Sequence, residues 1–272
     1  MPEIHFGAIL EDLALWLEEQ KASDGPSLRA GGAPMIVSHE HKFIFLKTKK
    51  TAGTSIELAL TELCGPEDVI TPLTEIDEAR RANGRGAQNW RLHGWWGSKR
   101  PLLKRRWFKF TAADYGFYNH MPAAEARARI GDKVWQSYFK FAFDRNPWDR
   151  QVSFYHHRYR NEKEPPSFAT FMHEDTRARI DNFDIYSIDG DVAVDFIGRF
   201  ETLGEDLKIA LERVGLCLCR RAAARQDHIF GPPPFQYRDY YDDDTKGPWW
   251  RAGTRARSSC SIMSSERKAR AA

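Results

Sequence analysis

Short apolar runs and helical stripes follow one another along the chain from Met35 onward. Met35–Ser38 and Phe43–Leu46 are apolar, β-branched or aromatic, and they flank the polar His39-Glu40-His41. That pattern predicts two short strands about a turn. From Thr54 the period lengthens, because Ile56, Ala59, Leu60 and Leu63 fall at i, i+3, i+4 and i+7, one face of a helix. Strand, short polar loop and helix therefore follow in that order.

A second unit of the same kind lies further on. Phe139, Phe141 and Phe143 alternate with Lys140 and Ala142, a strand signature. Asn146-Pro147-Trp148-Asp149 then reads as a helix start, with Asn as N-cap, Pro at the first position and an acid in the first turn. Trp148, Val152, Tyr155 and Tyr159 share one face of that helix. Pro122 is expected to open an earlier helix at its first position. Asp189-Gly190 predicts a hairpin turn, leading into a strand near Val192 to Phe200. A helix carrying Leu203, Leu207, Leu211 and Val214 follows, closed by Gly215. Strands alternating with helices imply an α/β fold with a mostly parallel central sheet flanked by helices.

The organisation expected is an N-terminal helix and linker over 1–34, an α/β domain over 35–215 and an irregular part over 216–272. Pro232–Pro234, the Asp242–Asp244 run and the Ser/Arg-rich end show no clean periodicity. The last 27 residues hold seven Lys/Arg and one Glu, a local charge of +6, and poor order is expected there.

Composition narrows the class. In 272 residues there are 41 Lys+Arg against 38 Asp+Glu, 42% hydrophobic and 13% aromatic residues. That is ample material for a core and excludes disorder throughout. A net charge of +3 gives no argument for a nucleic-acid partner. The four Cys form no disulfide framework, and Cys217-x-Cys219 has the wrong spacing for a zinc knuckle, so no metal is expected. The stretch Ile9–Leu17 is interrupted by Glu11 and Asp12 and falls short of the roughly 20 apolar residues of a membrane span. No transmembrane segment is expected, and a cytoplasmic location is.

The two strand–helix junctions carry the chemistry. Between the first strand and its helix lies Lys47-Thr-Lys-Lys50-Thr51-Ala52-Gly53-Thr54-Ser55. Small residues let backbone approach an anion, a helix N-terminus directs free N–H groups at it, and Thr51, Thr54, Ser55 and Lys50 add donors and charge. The Gly-x-x-x-x-Gly-Lys spacing of a Walker loop is absent; an ordinary basic loop is the plainer alternative. At the second junction Arg145 ends the strand, where a guanidinium can grip a phosphate in bidentate fashion. Ser153 stands eight residues on, inside the helix. An Arg in a structural ion pair is the plainer alternative there.

Together the two segments resemble the sulfotransferases that use 3′-phosphoadenosine-5′-phosphosulfate (PAPS), and within them the carbohydrate-sulfotransferase branch and its bacterial relatives. In that family a Pro-Lys-Thr-Ala-Gly-Thr-Ser-like loop binds the 5′-phosphosulfate, and Lys50 to Ser55 match it. Its Arg-Asn-Pro-(Trp/Tyr)-Asp-Arg followed by Val-Ser-x-Tyr binds the 3′-phosphate, and Arg145 and Ser153 match it at the family's spacing. Arg199-Phe-Glu-Thr-Leu203 resembles a further strand end of the family. The resemblance spans roughly residues 35–215 and implies a P-loop-like core, PAPS as sulfuryl donor and a hydroxyl acceptor on a carbohydrate. Lys49 stands where many relatives have proline, and from about Cys217 the amphipathic closing helix is missing from the pattern.

An acceptor hydroxyl needs a base, and histidine suits the role. His120, in Tyr118-Asn-His-Met-Pro122 between the two loops, is the candidate, with His93 and Asp114 as substitutes; a helix-capping or core histidine is the alternative. Lys50 is assigned to the bridging oxygen and leaving phosphate. The cluster Lys99–Lys109 with Trp95, Trp96 and Trp107 reads as a solvated surface loop, with an anionic-acceptor contact or a membrane-surface contact as alternatives. Two rival functions stay open: a nucleotide- or glycan-binding protein without turnover, and a nucleotide-dependent kinase.

Overall fold

The computed structural model describes residues 35–81, 85–91, 116–118, 120–175, 180–216, 236–242 and 245. Its centre is a five-stranded sheet of β1 (Ile36–Ser38), β2 (Phe43–Leu46), β3 (Val69–Ile70), β4 (Phe139–Asp144) and, towards the end of the domain, Phe196–Arg199. With the small hairpin β5 (Ser187–Ile188) and β6 (Asp191–Val192) counted in chain order, that last strand is β7. The order in the sheet is β3-β1-β2-β4-β7. β2, β4 and β7 are parallel neighbours, whereas β1 runs antiparallel to both β2 and β3. The parallel core is as expected, and the predicted β1–β2 hairpin pairs Ile36 with Phe45 and Ser38 with Phe43.

Both faces of the sheet are covered, which is why β2 is buried at every position and reads as a continuous apolar run. One face presents Ile36, Phe43, Phe45, Phe141, Phe143 and Phe196. It packs on α1 (Gly53–Thr61) through Ile56, Ala59 and Leu60, and on the helix Leu203–Glu212 through Leu207, Ala210 and Leu211. The opposite face presents Val37, Ile44, Leu46, Ala142 and Ile197 to Ala123, Ala126 and Trp135. With Glu75–Ala79 counted as α2, those come from α3 (Ala123–Ile130) and α4 (Asp132–Ser137), and the short helix Phe183–Tyr186 adds Ile185 and Tyr186. The period-2 alternation of the strands thus sorts their side chains into two cores. Gly198 in β7 is demanded by packing: a Cβ there would lie 2.4 Å from the Phe143 ring.

Two expected boundaries move. Pro122 is the N-cap, and the helix begins at Ala123, one residue later than its proline suggests. The strand expected from Val192 to Phe200 is two strands in two sheets. Between them the exposed Asp195 accepts from the Lys140 backbone N–H at 2.7 Å and pairs with the Lys140 ammonium at 2.8 Å, which ends one pairing and starts the other.

The helix Pro147–Arg158, here α5, begins as its sequence predicts. Asn146 accepts from the Trp148 N–H at 3.0 Å, with Pro147 at the first position. Its apolar face joins the helix Phe168–Glu174 in a third core of Val152, Tyr155, Phe168, Phe171 and Met172. Of the C-terminal part, residues 236–242 dock on this core. Tyr241 is buried and donates to the Trp148 carbonyl at 2.9 Å, and the Tyr240 hydroxyl lies 2.8 Å from His156 Nε2. Asp242 and Thr245 exchange backbone-to-side-chain hydrogen bonds at 2.8 and 2.9 Å, the pattern of a helix cap. The helix expected in 1–34, the 99–109 cluster with its tryptophans, His93 and Asp114 lie outside the described residues.

Candidate active site

Because β2, β4 and β7 run in parallel, the segments leaving them emerge at one edge of the sheet: 47–52, 145–146 and 200–202. That edge, at the carboxyl ends of parallel strands, is where α/β sheets bind ligands.

The first segment is a tightly bonded loop. Lys50 (φ 62°) and Ala52 (φ 55°) both adopt left-handed backbone, which sharply turns the chain into α1. Thr48 stitches the loop down: its hydroxyl donates to the Phe143 carbonyl of β4 and lies 2.8 Å from the Thr51 hydroxyl. Thr51 also contacts the Thr48 carbonyl at 3.3 Å, so it faces inward as a staple of the loop. Gly53 is needed for a reason the sequence conceals. A Cβ there would lie 2.5 Å from Lys47 Cγ, so the space its missing side chain leaves is filled by the lysine stem. Thr54 is half-buried at the helix start, while the Ser55 hydroxyl is buried and has no hydrogen-bond partner.

Beneath the loop lies a buried charge cluster. Lys47 Nζ donates to Thr54 Oγ1 at 2.8 Å and lies 3.6 Å from Glu57, whose other oxygen accepts from Arg81 at 3.0 Å. Burial lowers the Lys47 pKa, and burial raises Glu57 to about 8 against the opposing pull of Lys47 and Arg81. Above it, burial first and then the positive charges of Arg145 and Arg160 lower Lys50 to about 7.

The second segment brings Arg145 to the same place. Its Nη1 donates to the Lys50 carbonyl at 3.4 Å, its Nε pairs with Asp149 at 2.6 Å, and its guanidinium lies 4.1 Å from the centre of the Phe200 ring. Ser153 is half-buried two turns along α5. The third segment supplies Glu201, which accepts from the Asn146 N–H at 2.8 Å and so fixes the residue after Arg145; the Arg-Phe-Glu-Thr-Leu motif was the signal for it.

His120 reaches the loop from the side. Its backbone is left-handed (φ 54°), and its Nδ1 lies 3.0 Å from the Lys47 carbonyl. A carbonyl can only accept, so Nδ1 carries the proton and Nε2 keeps its lone pair. Burial, then the charge of Lys47, lowers the imidazole to about 3, so the ring is neutral. The structure therefore gathers Lys50, Arg145 and His120 around one loop. Two buried residues went unnoticed in the sequence. Asp144 precedes Arg145, and Asn182 lies far along the chain, yet both hold the loops.

These features define a class: an α/β protein with cationic loops and a helix N-terminus gathered at the carboxyl edge of its parallel strands, suited to a multiply charged anion. A family model described as "Sulfotransferase family" matches residues 33–228, and the chain belongs to that family. An uncharacterized protein of Archaeoglobus fulgidus is 37% identical over 100 residues, covering 35% of this chain and 83% of that protein. No solved structure matches. Among the described residues no cluster of His, Cys, Asp and Glu could hold a metal ion, and no helix is long and apolar enough to cross a membrane.

Proposed function

We propose that this sulfotransferase uses PAPS as donor and the hydroxyl of a carbohydrate as acceptor. The observation that carries the reading is the 3.4 Å contact between Arg145 and the Lys50 carbonyl. It brings the loop matching a 5′-phosphosulfate site against the residue matching a 3′-phosphate site. The residues present fit such a ligand. Ser55 holds a buried hydroxyl with no protein partner, and a buried donor of that kind calls for an acceptor. Burial first, and then the positive charges of Arg145 and Arg160, depress Lys50, and an anion relieves the repulsive part of that.

In this reading Lys50, Thr54, Ser55 and the backbone from Thr51 to Gly53 hold the 5′ side, and Arg145 and Ser153 hold the 3′-phosphate. PAPS, when bound, supplies the sulfuryl group that an acceptor oxygen takes by in-line displacement. Lys50 balances the charge that grows on the leaving phosphate. His120, with its free Nε2, takes the acceptor's hydroxyl proton. Its low basicity arises first from burial and then from the charges of Lys47, Lys49 and Lys50, and a bound anion offsets the charge part. The carbohydrate class rests on the likeness of both loops to the carbohydrate branch.

The test is transfer of radiolabelled sulfur from PAPS to a panel of oligosaccharides, lipids and peptides bearing hydroxyls. Labelled saccharide that depends on Lys50 supports the reading. Label appearing in lipid or peptide and not in saccharide overturns the acceptor, and no labelled product in the presence of bound donor favours a binding protein without turnover.

A further inference from the structure

Asn182 is fully buried and spends every hydrogen-bonding group of its side-chain amide on the two loops. Its Oδ1 accepts from the Lys49 N–H at 2.9 Å, and its Nδ2 donates to the Lys49 carbonyl at 3.1 Å. The remaining proton of Nδ2 goes to Asp144 Oδ1 at 2.9 Å. Lys49 directly precedes Lys50, and Asp144 directly precedes Arg145. One side chain therefore holds the backbone of the residue before Lys50 and the carboxylate of the residue before Arg145, each beside a proposed anion contact.

The clasp is itself anchored. Asp144 Oδ1 also accepts from Arg150 at 2.6 Å and from the Arg145 N–H at 2.8 Å, and Oδ2 accepts from Tyr186 at 2.9 Å. Two residues before Asn182, the Ile180 carbonyl accepts from Arg150 at 3.1 Å and from Gln151 at 3.0 Å. The segment 180–182 is thus laced to α5 on one side and to the first loop on the other. An amide with three partners at fixed positions has one orientation, and buried polar networks of this kind rigidify what they join. The Lys49 N–H is essential to the clasp, and a proline at that position could not supply it.

We infer that Asn182 is a positioning residue that sets the spacing between the two ends of the nucleotide site; this rests on the reading that one nucleotide spans both loops. A ligand held at both ends profits from correct spacing, whereas a ligand held at one end does not. The difference separates positioning from general structural damage.

The experiment compares wild type with Asn182→Ala and Asn182→Asp by calorimetry, using 3′-phosphoadenosine-5′-phosphate (PAP) and adenosine 3′-phosphate. Hydrogen exchange of the peptide containing Lys49 and Lys50 is followed in parallel. Expected are a loss of about tenfold or more in PAP affinity, adenosine 3′-phosphate affinity within about twofold, and faster exchange in that peptide. Asn182→Asp, which loses both donors and adds a charge beside Asp144, is expected to lose more. Unchanged PAP affinity, or an equal loss for both ligands, overturns the inference. Should Asn182→Ala fail to fold, Asn182→Ser carries the same comparison. Wild-type protein showing no preference for PAP would instead sink the nucleotide reading; unaltered exchange around Lys49 would then refute the clasp separately.

Discussion

Lys47 and Thr54 are joined by a 2.8 Å hydrogen bond from the buried lysine Nζ to the threonine hydroxyl. Because Thr54 Oγ1 accepts there, its own proton is left to donate elsewhere. The half-buried hydroxyl stands in the first turn of α1, where α1's unpaired N–H groups also await an acceptor. Glu57, held by Arg81, fixes Lys47 in turn. A buried cluster beneath the loop thereby sets the direction of a proposed ligand donor.

If Lys47 acts through Thr54, the two substitutions are not independent. Lys47→Met and Thr54→Val are each expected to weaken PAP binding by about 1–2 kcal/mol, and the double variant by much less than their sum. Calorimetry on all four proteins measures the coupling. Strict additivity would show that Lys47 does not act through Thr54.

Lys50 titrates near 7 in the free protein because burial, Arg145 and Arg160 lower it. A bound anion favours the protonated amine and raises that value, so binding takes up a proton above about pH 7. PAP affinity is expected to fall as pH rises from about 7 to about 9, by up to about tenfold per unit, with no contribution from this group below its free value. Lys50→Arg, which stays charged, should flatten the profile. Titrations in buffers of different ionisation enthalpy count the proton directly.

His120→Ala should leave PAP affinity within about twofold of wild type while lowering turnover by about a hundredfold or more, the usual range for loss of a general base. Turnover preserved in that variant would remove His120 from the chemistry and shift attention to His93 and Asp114.

Tyr241 ties residues 236–242 to α5, burying its ring against Trp148 and Phe168 with centroids 4.9 and 5.1 Å away. Tyr241→Ala should cost about 3 kcal/mol of stability, as for other buried aromatics, and Tyr241→Phe about 1 kcal/mol for the hydrogen bond to Trp148. Denaturant melts of both variants measure these losses. An unchanged midpoint in Tyr241→Ala would mean that the segment contributes nothing to the fold.

What the sequence revealed was whatever local spacing controls. Phe139, Phe141 and Phe143 announce β4, Asn146-Pro147 announces the start of α5, and the Lys50–Ser55 run announces the loop. Local spacing could not show that Gly53 exists to admit the Lys47 stem, since that contact depends on a backbone turned at Lys50 and Ala52. Nor could it show that Thr51 faces inward. Asp195, which breaks the expected long strand, does so through a partner 55 residues away, and Asn182 meets Lys49 across 133. Side chains that recognise distant backbone leave no periodic trace. Asn182 carries only a polar residue beside an apolar run, the commonest pattern in any loop.

The central claim is that one nucleotide bearing both a 3′- and a 5′-phosphate spans the Lys50 loop and Arg145. Its most direct test is calorimetric titration of the whole chain with PAP, beside ATP and adenosine 5′-phosphate. Strong PAP binding that drops by about a hundredfold without the 3′-phosphate, and that Arg145→Ala reduces to the same level, is the predicted result. Equal affinity for PAP and adenosine 5′-phosphate would contradict it.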